Sequence, residues 1–120
     1  MAHFSEVDRD GNVIRVVVIS NADIVDSQGN EVEQMGIDLC NQHVGPGVWV
    51  QTSYNKNFRK IFGEPGKKYS AEADVFYDPV APFPSWHLDE KFDWQPPTPR
   101  PGNGYYWDED TLTWLAFADK

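Results

Sequence analysis

The sequence predicts a mainly β (α+β) fold of short antiparallel strands and hairpins, with one short helix and a proline- and tryptophan-rich C-terminal arm. Of its 120 residues, nine are glycine and nine are proline, while five Trp, five Tyr and seven Phe make it rich in aromatics. Glycine and proline interrupt regular elements, and aromatic side chains favour pleated, half-buried surfaces. With 40% hydrophobic residues, the chain is apolar enough to fold around a core.

The first predicted element is a β-hairpin, with strands over residues 4–7 and 13–19. The intervening DRDGN, residues 8–12, contains Asp-Gly, which supplies the positive φ of a tight turn. This segment resembles the start of a calcium loop, but strand residues follow at once where such a loop needs further oxygen ligands. We therefore expect a turn here and no calcium site.

A single helix is predicted over residues 31–43. Asn30 is the expected N-cap, with Glu33 as its capping-box partner. Val32, Met35 and Leu39 fall on one stripe and are expected to face the core. The sequence also places Gly36 in the helix and Cys40 on its buried side, and the glycine is expected to weaken the helix by about 1 kcal/mol relative to Ala.

Three further segments complete a predicted compact domain over residues 1–78. Residues 48–52 read as a strand by alternation and β-branching. Residues 58–62 are predicted to form another short strand. Residues 67–70 and 75–77 are predicted to pair as a second hairpin after the turn at 63–66 (GEPG).

Residues 79–120 differ in composition and are predicted to form an extended arm with two small hairpins. Seven of the nine prolines lie at positions 79–101, and four of the five tryptophans lie at positions 86–114. Proline stiffens a chain towards polyproline II. The segments WHLDEKFDW (86–94) and YYWDEDTLTW (105–114) repeat one pattern, in which Asp-Glu opens a turn and two aromatics are expected to meet across the strands.

Charge is unevenly distributed along the chain, whose formal net charge is −9. Residues 55–68 carry five bases and one acid, whereas acids dominate on both sides. The overall negative charge disfavours nucleic-acid and membrane-surface binding. The basic segment is interpreted as a contact for an acidic partner or as a solvated face, with a grip on single-stranded nucleic acid as the less favoured alternative. Its candidate partner-binding residues are Lys56, Arg59 and Lys60.

We expect no membrane span, secretory signal or internal disulfide. The longest apolar run, residues 16–19, is far shorter than the roughly 20 residues of a spanning helix. No charged start followed by an apolar stretch and a small-residue cleavage site opens the chain. Cys40 is the only cysteine, so it has no intramolecular partner. These features predict a protein assembled in a cytoplasm.

The sequence contains no recognisable catalytic or metal-binding motif. Cys40 and His43 are three residues apart, but one cysteine and three scattered histidines do not complete a zinc set. The adjacent acids at 89–90 and 108–110 are typical of solvated turns rather than of a glycosidase pair. Phosphate-loop, nucleophile-elbow and zinc-protease signatures are missing. We expect a non-enzymatic protein with no cofactor and no metal.

The aromatics of the arm allow two interpretations. Their rings would stack on sugars as a glycan platform, or they would be buried against the domain or a neighbouring subunit, where such side chains are typical anchors. Burial is the more frequent fate of large aromatics. The candidate partner-binding residues are Trp86, Trp94, Tyr105, Tyr106, Trp107 and Trp114.

Several segments resemble small proteins encoded by tailed phages of marine bacteria, especially cyanophages. They are the initial MAHF, then GNVIRVVVISN, GVWVQTSYNKNFRK, PFPSWHLDE and YYWDEDTLTW, and WVQTSYN (49–55) is the most specific. The resemblance covers nearly the whole chain and implies a virion-associated phage protein. The Trp-Asp-Glu hairpins are also similar to the ends of some tail-fibre and tail-fibre-assembly proteins. The resemblance implies no catalytic residue.

Together these observations predict a virion structural protein that decorates or cements the capsid. In this hypothesis the aromatic and proline-rich arm contacts a neighbouring virion protein, a major capsid or tail protein, or another copy of the chain. One alternative is a tail or tail-fibre component that binds host-surface glycan. Another is an intracellular phage protein that inhibits a host factor.

Overall fold

The computed structural model describes residues 1–118. They form two compact units, Met1–Pro79 and a second one that begins at Val80. The described chain is mainly β, with several short antiparallel strand pairs and one α-helix, which confirms the predicted fold class.

A three-stranded antiparallel sheet organises the N-terminal unit. Its strands are β1 (Ala2–Val7), β2 (Val13–Ile19) and β3 (Val48–Thr52), in the order β2-β1-β3. The predicted first hairpin and the predicted third strand are both confirmed. In the turn between β1 and β2, Asp8 Oδ1 accepts the backbone N–H groups of residues 10 and 12, both at 2.9 Å, and Gly11 has φ +88°. The sequence pattern therefore identified this turn for the right physical reason.

The predicted helix is present as α1 (Glu33–His43), after a short 3-10 helix at Asn21–Ile24. Its buried face consists of Gly36 and Cys40, so burial of the cysteine is confirmed. The expected stripe is only partly correct, because Met35 is exposed.

The predicted cap of this helix is wrong. Val32 occupies the N-cap position and makes no side-chain capping bond. Asn30 instead closes an earlier turn, in which its backbone N–H donates to Asp26 Oδ1 at 2.9 Å. The carboxylate of Glu33 accepts hydrogen bonds from Arg59, which is distant in sequence. It therefore does not act as a capping-box partner.

Both faces of the sheet are packed, and a glycine makes room for a phenylalanine on each. On the helix side, a Cβ added to Gly36 would lie 2.0 Å from Cζ of the fully buried Phe4. On the other side, a Cβ on Gly63 would lie 2.4 Å from Cε1 of the fully buried Phe76. Gly36 therefore leaves space for the Phe4 ring, a function that its low helix propensity does not indicate.

The second predicted hairpin is confirmed as β4 (Lys68–Ser70) and β5 (Val75–Tyr77). The strand predicted at 58–62 is wrong. Arg59 and Lys60 have φ values of +53° and +71°, which a strand does not allow. The segment makes a single isolated parallel bridge, from Lys60 to Phe76.

The C-terminal unit contains the two predicted hairpins. They are β6 (His87–Leu88) with β7 (Trp94–Gln95), and β8 (Tyr105–Asp108) with β9 (Thr113–Ala116). In the second hairpin Trp114 lies opposite Trp107, and Tyr105 lies opposite residue 116, so the expectation that Tyr105, the first aromatic of this repeat, meets Trp114 is wrong. In the first hairpin Trp94 lies opposite Leu88, so the expectation that it meets Trp86 is wrong.

The turn of the first C-terminal hairpin repeats the turn of the N-terminal hairpin. Asp89 Oδ1 accepts the backbone N–H groups of residues 91 and 93, both at 2.9 Å. The position that corresponds to Gly11 is occupied by Phe92, with φ +64°. An aromatic residue in the left-handed region is strained.

Candidate functional site

Three tryptophans form the centre of the C-terminal unit. Trp107 lies edge-on to Trp114, with ring centroids 5.3 Å apart. Trp86 packs on both, with centroids 6.0 Å from Trp107 and 6.1 Å from Trp114. Trp107 is only 7% exposed. The structure thus joins the two repeats through Trp86.

Polar contacts hold these rings in place. Glu109 accepts hydrogen bonds from Trp107 Nε1 at 2.8 Å and from Ser85 Oγ at 2.7 Å. The Trp107 indole and then Ser85 hold the pKa of Glu109 below its ordinary value. Trp114 Nε1 donates to the carbonyl of Thr98 at 2.8 Å. These bonds orient two of the three rings towards their own unit, so the cluster acts as a small core.

The opposite face of the β8–β9 hairpin is apolar and exposed. Tyr106 and Leu115 lie opposite each other across the strands, and Phe117 packs on Tyr106 with ring centroids 5.2 Å apart. Their exposures are 43%, 37% and 59%. At the turn, Leu112 has φ +56° and is also exposed. We call Tyr106, Leu112, Leu115 and Phe117 the outer hairpin face.

The aromatics predicted from the sequence therefore separate into different environments. Trp86, Trp107 and Trp114 pack together, whereas Tyr106 belongs to the outer hairpin face. Tyr105 lies opposite residue 116, and its carbonyl accepts a hydrogen bond at 2.9 Å from Arg100. Trp94 pairs with residue 88 in the other hairpin. Their partner-binding roles stay predictions.

Sequence reasoning missed the three apolar residues of the outer hairpin face, Leu112, Leu115 and Phe117. A usable signal was present in residues 113–117, TWLAF. Its apolar side chains occupy both alternating positions of a strand, and a two-stranded hairpin covers only one face by itself.

Among the three basic candidates, Arg59 is engaged inside the N-terminal unit. Its Nη1 lies 2.7 Å from Glu33 Oε2, and its Nε lies 2.7 Å from Asp74 Oδ1. Nη1 also donates to the carbonyl of Gln51 at 2.9 Å. Burial lowers the pKa of Arg59, but the hydrogen bonds that it donates to Glu33 and Asp74 outweigh burial and raise the pKa overall. The guanidinium therefore joins the helix, β3 and the β4–β5 turn.

Lys56 is exposed and Lys60 is partly buried. The partner contact of the basic segment stays a prediction. Both residues have positive φ, at +61° and +71°.

Tyr69 and Asp74 extend the Arg59 network. Burial, followed by its hydrogen bond to Asp74, raises the pKa of Tyr69 to about 12. The Tyr69 hydroxyl and then Arg59 hold the pKa of Asp74 below its ordinary value. Because these shifts keep both groups in one protonation state at neutral pH, the network suits a structural role better than proton transfer.

Cys40 lies in a setting that disfavours thiolate chemistry. Its side chain is fully buried, and burial, followed by the charge of Glu6, raises the pKa of the thiol. Within residues 1–118, no group of three or more His, Cys, Asp or Glu side chains is arranged to hold a metal ion. In the same range, no helix has the length and apolarity needed to cross a membrane.

The N-terminal unit has at least four cavities, and two of them differ clearly in their lining. An apolar groove of about 560 Å³ lies between β2 and α1, beside Val17 and Leu39. A polar cleft of about 330 Å³ lies beside Tyr54 and Asn57. The first is lined mainly by aliphatic side chains and the second mainly by amides and hydroxyls, so they suit different ligands.

No known protein family, curated protein or solved structure matches this chain.

Proposed function

We propose that the chain is a non-enzymatic structural protein of a phage particle, which decorates or cements the capsid by binding a neighbouring protein subunit. The observation that carries the proposal is the two-sided β8–β9 hairpin. One face packs Trp107 and Trp114 into the core of the unit, whereas the outer hairpin face presents Tyr106, Leu115 and Phe117 to solvent. The phage setting comes from the sequence resemblance and stays a prediction.

Exposed aromatics that pack on one another are typical of protein interfaces. Tyr106 and Phe117 form such a pair, and Leu115 extends it across the hairpin. Large aromatic side chains are frequent anchors in interfaces, and contiguous apolar patches mark interaction surfaces. The outer hairpin face therefore suits a flat or grooved protein partner.

Backbone strain at the hairpin tip supports the same interpretation. Leu112 has φ +56° and is 49% exposed. A left-handed conformation costs a residue with a Cβ roughly 1 kcal/mol, and an exposed leucine gains little from burial in return. A partner that covers Leu112 would offset this cost.

The charges around this face define the partner further. Residues 80–118 contain six acids and two bases, so the unit is acidic. Complementary charge speeds association and sets orientation. We therefore expect the partner to present an apolar patch bordered by lysine or arginine.

The test measures attachment to purified particles. Particles that lack the chain are incubated with the full-length protein, and bound copies are counted by quantitative mass spectrometry against the major capsid protein. We expect a copy number that scales with the capsid subunits. The double variant Leu115→Ser/Phe117→Ser should bind at least roughly tenfold more weakly, because it removes exposed anchors without disturbing the Trp cluster.

Tyr54→Ala is the matched control, because it removes an exposed aromatic side chain of the N-terminal unit and should attach like the unsubstituted protein. Only a few copies per particle would contradict decoration and favour a tail or tail-fibre role. Absence from washed particles would contradict every virion role and favour an intracellular inhibitor of a host factor.

A further inference from the structure

We propose that the polar cleft beside Tyr54 binds a neutral saccharide. This inference does not depend on the proposed role in a phage particle, and it concerns different residues from the outer hairpin face. The cleft lies in the N-terminal unit and has a volume of about 330 Å³, within the range of small-ligand pockets. The side chains that carry the argument are those of Glu31, Gln51, Tyr54, Asn55, Asn57 and Phe58.

Tyr54 supplies an aromatic wall that is both exposed and held in place. Its side chain is 66% exposed. His3 stacks on it with ring centroids 5.8 Å apart and an angle of 23° between the planes. Phe62 packs edge-on, with centroids 5.2 Å apart. A ring already fixed in position loses little entropy on binding, and its apolar surface can take the C–H face of a sugar ring.

The polar lining matches hydroxyl groups. Within residues 1–118, the side-chain amides of Asn55 and Asn57 make no hydrogen bond to the protein. Each amide offers two donors and one acceptor oxygen, and each sugar hydroxyl both donates and accepts. The two amides can therefore satisfy neighbouring hydroxyls of one ring.

A carboxylate at the other side of the cleft is already oriented. Gln51 Nε2 donates to Glu31 Oε1 at 2.9 Å, and Asn21 Nδ2 approaches Glu31 Oε2 at 3.4 Å. The carboxylate retains acceptor capacity beyond these two contacts. Hydrogen bonds to an ionised acceptor are stronger than neutral ones, so Glu31 can fix the orientation of a hydroxyl pair.

The backbone around the amides is strained and braced. Lys56, Arg59 and Lys60 all have positive φ within five residues. Ser53 braces the start of this segment, since its carbonyl accepts the Lys56 N–H at 3.1 Å and its Oγ accepts the Asn57 N–H at 3.0 Å. Arg59 braces the other end through Glu33 and Asp74. Such strain concentrates at ligand clamps, where it preorganises the binding groups.

The charges of the cleft favour a neutral ligand. None of the described side chains that line it is lysine or arginine, whereas Glu31 does line it. The basic groups of the described residues that line it are the amino group of Met1 and the imidazole of His3, and Glu31 opposes them, so the cleft offers a phosphate or carboxylate no net positive charge. Nucleotides and acidic sugars are therefore disfavoured, and a neutral polyhydroxyl compound remains.

The test is an NMR titration of the full ¹⁵N-labelled chain with neutral tetrasaccharides built from glucose, mannose or galactose, each up to about 10 mM. We expect saturable shifts of the Asn55 and Asn57 side-chain amide signals with at least one sugar. A pull-down on insoluble starch and cellulose then shows whether the ligand is a polymer surface or a free oligosaccharide.

Two variants test the assignment of residues. Tyr54→Ala should bind roughly tenfold more weakly and keep the amide spectrum of a folded protein, because the ring is largely exposed. Asn55→Ala/Asn57→Ala should weaken binding by a similar factor. Ile14→Ala, which removes an exposed apolar side chain that does not line the cleft, should bind normally.

Three results would overturn the inference: no saturable shift with any of the sugars, undiminished binding by Tyr54→Ala, or, in a parallel titration with inorganic phosphate, shifts induced by that anion only. None of them would bear on the particle-attachment test, which depends on Leu115 and Phe117.

Discussion

In the N-terminal unit the sheet buries apolar side chains on both of its faces, whereas in the C-terminal unit the β8–β9 hairpin buries one face and leaves the other open. Phe4 and Phe76 are wholly buried on opposite sides of the sheet. Tyr106 and Phe117 remain exposed although they pack on each other. The first unit buries its two core phenylalanines, although Ile14, Val18 and Val48 stay exposed, and the second unit presents an exposed aromatic pair.

Different interactions stabilise the two units. The N-terminal unit combines close packing, as at Gly36 and Gly63, with the ion-pair network of Arg59. The C-terminal unit depends on three packed tryptophan rings, of which Trp107 donates to Glu109 and Trp114 donates to the carbonyl of Thr98. The comparison indicates that a proline-rich segment with little aliphatic content can form a core from a few large aromatic rings.

The largest expected effect is the loss of the Trp cluster. Trp107→Ala should destabilise the C-terminal unit by about 3–5 kcal/mol, because the ring is nearly buried and contacts both other tryptophans. Amide hydrogen exchange resolved by residue would measure this loss in β8 and β9. Tyr106→Ala on the outer hairpin face is the control and should cost less than about 1 kcal/mol. Equal effects of the two variants would refute the distinction between the faces.

Gly36→Ala should destabilise the N-terminal unit by about 1–2 kcal/mol, although alanine is the better helix former. The gain in propensity is about 1 kcal/mol, but the new Cβ would lie 2.0 Å from Phe4 Cζ, and overpacking costs up to about 3 kcal/mol. Urea unfolding measures the net change. Gln42→Ala, at an exposed helix position, is the control.

A double variant sharpens this prediction. Gly36→Ala combined with Phe4→Leu should cost less than the sum of the single changes, because the smaller side chain relieves the clash. If the losses in free energy of unfolding were additive, the glycine would not be needed to make space for the Phe4 ring.

Leu112→Asn should stabilise the C-terminal unit by about 0.5–1 kcal/mol, because asparagine tolerates positive φ better than leucine does. Thermal unfolding followed by tryptophan fluorescence would report the gain. Leu112→Ala keeps the strain and is the control without a gain. If Leu112→Asn also weakens attachment to particles, the strained leucine serves the partner rather than the fold.

The smallest expected effect is the part of the pH dependence of stability that comes from Glu109. Its pKa is lowered in the folded unit, so its contribution to stability is present above the ordinary value of 4.5 and is lost as the pH falls through the lowered value. Glu109→Gln should therefore be less stable than the unsubstituted protein at neutral pH and nearly equal at low pH. Melting curves across this range measure the difference, with Glu90→Gln as the control. A constant difference would contradict the role of the charge.

The sequence predicted most of the fold but only part of the candidate surfaces. Turn chemistry identified the Asp8 and Asp89 turns, because an aspartate and the backbone groups that it binds lie within four residues of one another. No strand forms at 58–62, because Arg59 and Lys60 have positive φ. The Arg59 side chain pairs there with Glu33 and Asp74, which are distant in sequence. The outer hairpin face was missed because alternation places side chains on two faces without showing which of them the rest of the chain covers.

What the sequence determined by itself was local: the turns, the strands β1 to β3, the presence of one helix that ends at His43 and the change of composition near residue 79. Only the tertiary structure decided which residues meet across the chain. It brought Glu33 to Arg59, Phe4 to Gly36 and Trp86 to Trp107 and Trp114, and it left Tyr106 exposed. The physical reason is that backbone hydrogen bonds within a turn or between hairpin strands involve near neighbours, whereas packing and ion pairs depend on where the whole chain places each side chain.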